Sequence, residues 1–276
     1  MAKELRRLLI SPERLGAAAA GQPPRLVITE PEAHYLRRVL RLGPGDPVAV
    51  VNGRGQLWTA ELTADAALLL QQPLAAPLQQ GEPLLPALAL AMALPRRDGE
   101  LVWRMATEIG VDQLQPLVAE RSQGREQPQQ KWPLERWRTI VQEATEQCER
   151  LWLPQLEAPC SALALFGTRP EGVGLIATPR HAGLPLLEAL RAELPAALPA
   201  GAGAVSAPAL PLRVSLAIGP EGGWSELELA TATAAGWRAV SLGEPILRTA
   251  TAAIAGISRL ASWRALSCAS CPSPSP

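Results

Sequence analysis

Two glycine-bearing turns near the C-terminus have the residue types and spacing best suited to ligand chemistry. The first is Gly219-Pro-Glu-Gly-Gly223 and the second is Leu242-Gly243, and each follows an apolar run typical of a strand. Glycine lets a backbone approach a ligand closely and adopt conformations that other residues avoid. A helix-like segment follows each turn, and helix starts beside strand ends bind small polar ligands in many α/β proteins. The pattern therefore predicts a pocket for such a ligand.

The spacing alone leaves the ligand class open. A phosphate cradle is one interpretation, but the chain has neither G-x-x-x-x-G-K-[ST] nor G-x-G-x-x-G. Dinucleotide sites also carry their glycines after the first strand of the sheet, which disfavours an oxidoreductase. Tight turns without a ligand are the structural alternative. Ser225 and Glu228 match the S-x-x-E capping box, which predicts a helix start, and Gly236 is placed to end that helix.

Composition sets limits on compartment and partners. The 276 residues include 26 basic and 26 acidic side chains, so the net charge of zero neither indicates nor excludes nucleic acid. Basic clusters at Arg6-Arg7, Arg37-Arg38 with Arg41, and Arg96-Arg97 are either solvated surface or RNA contacts. No run reaches membrane-spanning length, and the basic N-terminus lacks the apolar core of a signal peptide. We expect a cytoplasmic protein.

The four cysteines do not predict a metal site. Cys268 and Cys271 form a C-x-x-C pair, but a zinc site needs about four ligands, and His34 and His181 are distant in sequence. We expect unpaired thiols in a reducing compartment and no bound metal.

The N-terminal residues have the character of a small β-barrel-like module. Leu26 to Ile28 predicts a strand, and Glu32 to Leu40 predicts a helix. Val48 to Val51 and Leu57 to Leu62 predict a hairpin, with Asn52 placed where positive φ is wanted. A Pro- and Gln-rich linker is expected over 71–83.

From Leu84 onward strands and helices alternate, which predicts an α/β fold with a mostly parallel sheet. The Ala/Pro/Gly-rich segment 195–211 is predicted to be a surface loop, and the Ser/Pro-rich segment 267–276 a disordered tail. The strands are expected at 85–93, 114–119, 173–177, 214–218 and 239–242, and the helices at 100–109, 134–149, 184–194 and after each glycine turn.

The stretch GPEGGWSELE, followed after Gly236 by SLGEPILRTATAAI, resembles the SPOUT superfamily of RNA methyltransferases. Within it, the chain is most similar to the RsmE-type family, which methylates N3 of a uridine in 16S ribosomal RNA. Further motifs in the same order extend the resemblance over nearly the whole chain: His34-Tyr-Leu36, Val39-Leu-Arg41, Pro44-Gly-Asp46, Ala106 to Asp112, Glu120-Arg-Ser122 and Glu143 to Gln147.

The resemblance implies a fold, a cofactor and partners. It implies a PUA-like RNA-binding β-barrel over 1–75, a SPOUT methyltransferase domain over 76–266 with a trefoil knot at about 173–255, and a tail over 267–276. It also implies a homodimer that acts on 16S rRNA within the small ribosomal subunit. S-adenosyl-L-methionine is the implied cofactor, bound largely by backbone of Thr178, Pro179, Ile218, Gly219, Pro220, Glu221, Gly222, Gly223, Ser241, Leu242, Gly243, Ile246, Leu247, Arg248 and Thr249.

The chain departs from the family pattern at three places. Glu244-Pro245 stands where the family commonly has Pro-Arg, and Ala250 stands where it has Glu. Cys148-Glu149-Arg150 replaces the usual Ser-Gly-Arg. An inactive SPOUT-fold RNA-binding or ribosome-assembly factor is therefore the alternative to an active enzyme.

The catalytic hypothesis follows from the acidity of the target. Uridine N3–H is a weak acid, so its methylation requires removal of the proton or stabilisation of the developing anion. We assign anion stabilisation to Arg248 and the base to Glu221. An acidic residue before a helix N-terminus also favours the helix dipole, so Glu221 as a loop-organising residue is the alternative.

Candidate RNA contacts lie in the N-terminal module. Arg37, Arg38 and Arg41 are predicted to contact phosphates, and His34 is predicted to be structural rather than to stack on a base. Three tryptophans, Trp132, Trp137 and Trp152, are expected to pack in the core, with dimer contact as the alternative.

Overall fold

A computed structural model describes residues 5–17, 23–95, 98–122, 132–179, 183–193 and 213–268. The chain divides into two compact units, Met1–Pro83 with Gln142–Leu153, and Leu84–Val141 with Pro154–Pro276. Within the described ranges, no helix is long and apolar enough to cross a membrane. The Arg96-Arg97 cluster, His181, Cys271 and the predicted loop 195–211 lie outside the described residues.

The first unit contains a six-stranded sheet of order β1-β3-β4-β5-β2, with β6 also paired to β4. The β1–β3 pair is parallel and the other pairs are antiparallel. A helix and a π-helical turn, Tyr35–Val39, follow a capping box formed by Thr29 and Glu32. The elements are β1 (Arg7–Leu9), α1 (Pro12–Ala17), β2 (Arg25–Val27), α2 (Glu30–His34), β3 (Pro47–Val51), β4 (Gln56–Leu62), β5 (Ala67–Leu70) and β6 (Gln79–Gln80).

The predicted hairpin is confirmed, because β3 and β4 pair antiparallel around the Asn52 turn. The prediction of positive φ at Asn52 was wrong, since Gly53 at +67° and Gly55 at +89° adopt that conformation. Asn52 instead closes the turn through its side chain, whose Oδ1 accepts the N–H groups of Arg54 and Gln56 at 2.8 and 3.1 Å. The linker prediction over 71–83 was also wrong, because β6 lies within it and pairs with β4.

The second unit contains an eight-stranded sheet of order β10-β8-β7-β13-β11-β14-β12, with β9 paired to β8. All of its described pairs are parallel, which confirms the predicted α/β class. Its elements are β7 (Ala87–Ala93), α3 (Gly99–Ile109), β8 (Gln113–Val118), α4 (Leu134–Gln147, of which residues 142–147 belong to the first unit), β9 (Gln155–Leu156), β10 (Cys160–Ser161), α5 (Ala162–Phe166), β11 (Val173–Ala177), β12 (Leu184–Pro185), α6 (Leu186–Glu193), β13 (Arg213–Ile218), α7 (Glu226–Ala234), β14 (Arg238–Ser241) and α8 (Thr249–Cys268).

Two predicted boundaries in this unit were wrong. The helix expected from Leu184 begins at Leu186, because Leu184 and Pro185 pair with β14. The disordered tail was expected from residue 267, but Ser267 and Cys268 continue α8, a helix whose inner face packs on the core. Residues 269–276 of that prediction lie outside the described ranges. The predicted glycine stop of α3 is confirmed, with Gly110 at φ +108°.

The tryptophan prediction is confirmed for Trp137 and Trp132. Trp103 and Trp137 are buried and meet edge to face at 6.1 Å, and Trp132 lies 6.0 Å from Trp137. Trp152, in the first unit, donates its indole N–H to the carbonyl of Gly81 at 3.1 Å.

Among the described residues, Cys160 is a free thiol, and the Cys148 thiol donates to the Thr145 carbonyl at 3.8 Å. Burial raises the pKa of the Cys160 thiol above its ordinary value. No group of three or more His, Cys, Asp or Glu side chains suited to a metal occurs among the described residues.

Helix α8 is tied to the rest of the second unit by one buried arginine. The Arg264 side chain is 5% exposed and donates to the Asp112 carboxylate at 2.5 Å and to the Gly110 carbonyl at 2.8 Å. Asp112 also accepts the backbone N–H of Leu88 at 2.9 Å. This network joins α8 to the end of α3 and the start of β7.

Replacing Arg264 should therefore destabilise the protein. The Arg264→Met variant leaves the Asp112 carboxylate without its cation, and we expect the free energy of unfolding to fall by about 2–4 kcal/mol. Urea denaturation measures this change. The control is Arg138→Met, which breaks an exposed pair with Glu135 on α4 and should cost under about 0.5 kcal/mol. Equal losses in the two variants would contradict the assignment.

Candidate functional site

The carboxyl ends of three strands meet at one edge of the parallel sheet. Strand β11 pairs with β13 on one side and β14 on the other, so Ala177, Ile218 and Ser241 end neighbouring strands. The segments that follow them enclose a cleft of about 340 Å³. Ligands in α/β proteins bind beyond the carboxyl ends of the strands, which makes this cleft the candidate site.

The first glycine turn is fixed between a strand end and an indole ring. Gly223 donates to the carbonyl of Pro220 at 2.9 Å and has φ of +71°, which favours glycine. A Cβ on Gly219 would lie 3.0 Å from Cε2 of Trp224, so the ring leaves no room for a side chain there. Trp224 in turn donates its indole N–H to the Ala177 carbonyl at 3.0 Å. The turn therefore has a defined backbone path.

The helix after this turn begins as predicted. The Ser225 hydroxyl accepts the Glu228 N–H at 3.2 Å, and the Glu228 carboxylate accepts the Ser225 N–H at 2.8 Å, which confirms the capping box. Gly236 follows α7 with φ of +93°, as predicted for a C′ glycine. Glu228 is 1% exposed, and its second oxygen accepts the Glu120 N–H at 2.8 Å. The buried carboxylate therefore joins two loops.

The second turn is tied to helix α8 and to the first turn. Gly243 has φ of +123° and donates to the Ser241 hydroxyl at 3.2 Å. Arg259, on α8, donates to the Leu242 carbonyl at 2.6 Å. Thr249 donates its hydroxyl to the Gly219 carbonyl at 3.0 Å. This last hydrogen bond connects the two glycine turns directly.

The backbone between these anchors keeps unused donors. The amides of Ile246 and Leu247 donate no hydrogen bond to any residue that the structure describes. Both residues line the cleft, and the Ile246 side chain is 76% exposed. A ligand in the cleft can therefore meet backbone donors and apolar side chains together.

Most of the predicted cofactor residues come together in the cleft. Two do not line it: Ser241, whose hydroxyl bonds within the second turn, and Arg248, whose exposed side chain lies outside the lining. Glu221, the predicted base, is exposed and lines the cleft. The predicted residues that line it are Thr178, Pro179, Ile218, Gly219, Pro220, Glu221, Gly222, Gly223, Leu242, Gly243, Ile246, Leu247 and Thr249.

Sequence reasoning missed four lining residues: Ala177, Trp224, Pro245 and Ala252. Trp224 directly follows the glycine turn, and Ala252 lies one helical turn after Thr249, so adjacency and helical spacing were available signals. Pro245 is also one of the positions where the chain departs from the family pattern. Ala250, a further departure, is the second residue of α8; it is partly buried and packs on the core of the second unit.

The residues predicted to contact RNA lie in the first unit, and their side chains differ in how far they are exposed to solvent. Arg37 is partly buried and donates to the carbonyls of Thr63 and Ala64 at 3.0 and 2.6 Å, so its side chain also holds a turn. His34, Arg38 and Arg41 are exposed, and Arg41 has φ of +55°. The RNA-binding roles of the three arginines stay predictions.

Comparisons with known proteins define the class. A profile of the RNA methyltransferase domain matches residues 82–261, and a profile of the RNA methyltransferase PUA domain matches residues 28–67. The first match covers most of the parallel-sheet unit and includes the cleft. The second falls in the unit with the mostly antiparallel sheet. The fold and the site thus define an RNA methyltransferase with a PUA-like domain.

Individual relatives narrow this class. A Synechocystis protein named ribosomal RNA small subunit methyltransferase E is 38% identical over 255 residues, which cover 92% of this chain and 76% of the relative. The enzyme of the same name from Neisseria gonorrhoeae, solved with bound S-adenosyl methionine, has a TM-score of 0.71 and 24% identity over 94% of this chain and 98% of that one. A Legionella pneumophila protein solved with the same cofactor has a TM-score of 0.71 and 25% identity over 95% and 98%. The chain belongs to the ribosomal RNA small subunit methyltransferase E family, which confirms the resemblance found in its motifs.

Proposed function

We propose that this protein transfers a methyl group from S-adenosyl-L-methionine to N3 of a specific uridine in 16S ribosomal RNA. The observation that carries the proposal is the cleft between two joined glycine turns at the carboxyl edge of the sheet, in a chain of this family. The proposal extends to action in the cytoplasm, on RNA within the small subunit, by a homodimer. Equilibrium sedimentation measures the last of these.

The cleft residues fit the cofactor. A volume of about 340 Å³ lies within the range of about 300–1,000 Å³ typical of small-molecule sites. Apolar side chains of Ile218, Leu242 and Leu247 suit the faces of an adenine ring. The amides of Ile246 and Leu247, which donate to none of the described residues, suit acceptor atoms on its edge. S-adenosylmethionine supplies an electrophilic methyl group on a positively charged sulfur. No arginine or lysine lies in the described lining, so the cleft adds no repulsion against that charge.

The proposed chemistry at uridine is a proton transfer with charge stabilisation. Glu221, exposed in the first turn, would accept the N3 proton while the methyl group moves from sulfur to N3 and the sulfur keeps the electron pair of the broken bond as a neutral thioether. Arg248, at the start of α8, stabilises the negative charge that develops on a neighbouring carbonyl oxygen. The glycine turns hold the reacting groups close together, which supplies much of the rate enhancement.

The domain limits at about 75 and 266 and the trefoil knot at about 173–255 stay part of this proposal. Strand order supports the knot, because β13 is inserted between the earlier strands β7 and β11 and α8 then returns to pack against α3 and β7. Knots are rare, so the expectation depends on the family rather than on general rules of topology.

The primary prediction concerns ribosomal RNA. Cells with this gene should carry one 3-methyluridine in 16S rRNA that is lost on deletion, and the purified protein should restore it with S-adenosylmethionine. Mass spectrometry of nuclease fragments measures the modification. No difference between the two strains would contradict the proposal, and cofactor binding without transfer would support the inactive-factor alternative.

The hydrogen bond between Thr249 and Gly219, which joins the two glycine turns, should increase the affinity for S-adenosylmethionine. The Thr249→Val variant keeps the side-chain shape but removes the donor to Gly219, and we expect the Kd for S-adenosylmethionine to rise about five- to tenfold. Isothermal titration calorimetry measures this. Thr251→Val is the matched control, since Thr251 is exposed on the same helix. If Thr249→Val and Thr251→Val had the same Kd for S-adenosylmethionine, the hydrogen bond to Gly219 would have no role in cofactor affinity.

The role of Arg248 can be separated from cofactor binding. Arg248→Ala should lower kcat by about 10²–10³ while the Kd for S-adenosylmethionine stays unchanged. Arg248→Lys, which keeps the charge, should lose less. Single-turnover methylation of unmodified small subunits measures the effect. Full activity of Arg248→Ala with normal cofactor binding would show that the assignment is wrong.

A further inference from the structure

A short turn after β8 lies against the first glycine turn. Residues 119–122 follow the carboxyl end of β8, which is separated from β13 only by β7. Ser122 is buried; its N–H donates to the Ala119 carbonyl at 3.0 Å and its hydroxyl accepts the Ala119 N–H at 3.2 Å. The turn therefore has its own hydrogen bonds.

Besides the hydrogen bonds within residues 119–122, a residue of α7 also holds this turn in place. The buried carboxylate of Glu228 accepts the N–H of Glu120 and the N–H of Ser225, both at 2.8 Å. The turn is thereby tied to the start of α7. Neither anchor uses the Arg121 side chain, so the turn keeps its conformation without help from that guanidinium.

Arg121 packs directly on the cofactor cleft. A Cβ on Gly222 would lie 3.0 Å from Cβ of Arg121 and 3.1 Å from its carbonyl oxygen, so the two turns are in close contact. Gly222 lines the cleft. The base of the Arg121 side chain is thus placed at the cleft rim by backbone packing.

The Arg121 guanidinium makes few interactions with the residues that the structure describes. To the residues that the structure describes it makes one long hydrogen bond, 3.4 Å from Nη1 to the Gly222 carbonyl, and Arg121 is exposed. No carboxylate of the described residues lies within 4.0 Å of it. An arginine whose backbone is held rigidly, and whose guanidinium makes one long hydrogen bond to the described residues, is well suited to bind an external anion.

We infer that Arg121 binds a backbone phosphate of the RNA strand beside the nucleotide that enters the cleft. The inference rests on the proposed function, which brings a polyanion to this rim. A phosphate accepts two hydrogen bonds from a guanidinium fork, and phosphate contacts fix the register in which a base is presented. Arg121 then sets the position of the target strand rather than the binding of cofactor.

The other side of the turn does not suit a phosphate. A second cleft of about 400 Å³ borders the turn there, and its described lining includes the carboxylates of Glu120 and Glu228 and no basic residue. Negative charge on that side directs the phosphate to the Gly222 side of Arg121. The contact is therefore next to the cofactor cleft.

The test compares Arg121→Gln with Arg169→Gln in the full-length protein, using small ribosomal subunits that lack the modification. Arg169 is also exposed but lies before the amino end of β11, at the opposite edge of the sheet. We expect Arg121→Gln to raise KM for the subunits about three- to tenfold at about 50 mM salt. The slope of log KM against log salt should become shallower by about 0.7–0.9, the loss of one phosphate contact.

Further measurements distinguish phosphate binding by Arg121 from a role in catalysis or in cofactor binding. The kcat at saturating RNA and the Kd for S-adenosylmethionine should stay unchanged in Arg121→Gln, and Arg121→Lys should restore the salt slope. A KM and salt slope equal to those of Arg169→Gln would overturn the inference, as would a loss of kcat with KM unchanged. Absence of any methylation by the wild-type protein would instead overturn the proposed function on which the inference rests.

Discussion

The parallel register of β11, β13 and β14 is the constraint on which the candidate site depends. Ile176 pairs with Ala217 and Ala177 pairs with Val240, so the three strands end level with one another. A shift of one residue would turn every side chain of a strand to the other face of the sheet. Leu175, Leu216 and Val240 are fully buried, which makes such a shift costly. The segments after the strands can therefore be short and still meet.

Close packing on both faces of this sheet restricts the path of the segment between β14 and α8. A Cβ on Gly256 of α8 would lie 2.4 Å from a methyl group of Leu216, so the helix packs too close to β13 for a side chain there unless Leu216 moves. At the other face a Cβ on Gly174 would lie 2.9 Å from the ring of Trp237. These contacts fix both ends of the second turn, because β14 enters it and α8 leaves it. The hydrogen bond from Thr249 to Gly219 then sets the width of the cleft.

The sequence predicted what depends on local patterns. The capping box at Ser225, the C′ glycine at Gly236 and the strand run 214–218 are each encoded within a few residues, and the structure has them close to the predicted places. The tight turn at Asn52 was located correctly but with the wrong residue at positive φ, because two glycines nearby adopt that conformation at lower cost. Local sequence patterns therefore predicted where these elements lie, but not which residue of the Asn52 turn adopts positive φ.

Contacts between distant segments could not be predicted in this way. Arg121 and Gly222 are 101 residues apart, and nothing in either neighbourhood specifies their contact. Glu228 was recognised as a capping residue, but its second oxygen bonds Glu120, 108 residues away. The motif Glu120-Arg-Ser122 was noticed as part of a resemblance without a role. Its contacts with the first glycine turn and with Glu228 depend on the sheet, which brings the carboxyl ends of β8 and β13 to the same edge.

The departures at Pro245 and Ala250 bear on how the cofactor and the RNA are recognised. Pro245 lines the cleft and Ala250 packs on the core, so neither position offers a charged group to a ligand. The described lining of the cleft offers backbone amides and apolar side chains, and the path of its backbone is set by Gly243, Thr249 and Arg259. RNA, in contrast, is bound mainly through its phosphates and requires cations. Because proline stands at position 245, where the family commonly has arginine, the phosphate contact that we infer for Arg121 would supply a cation from another turn at the same edge.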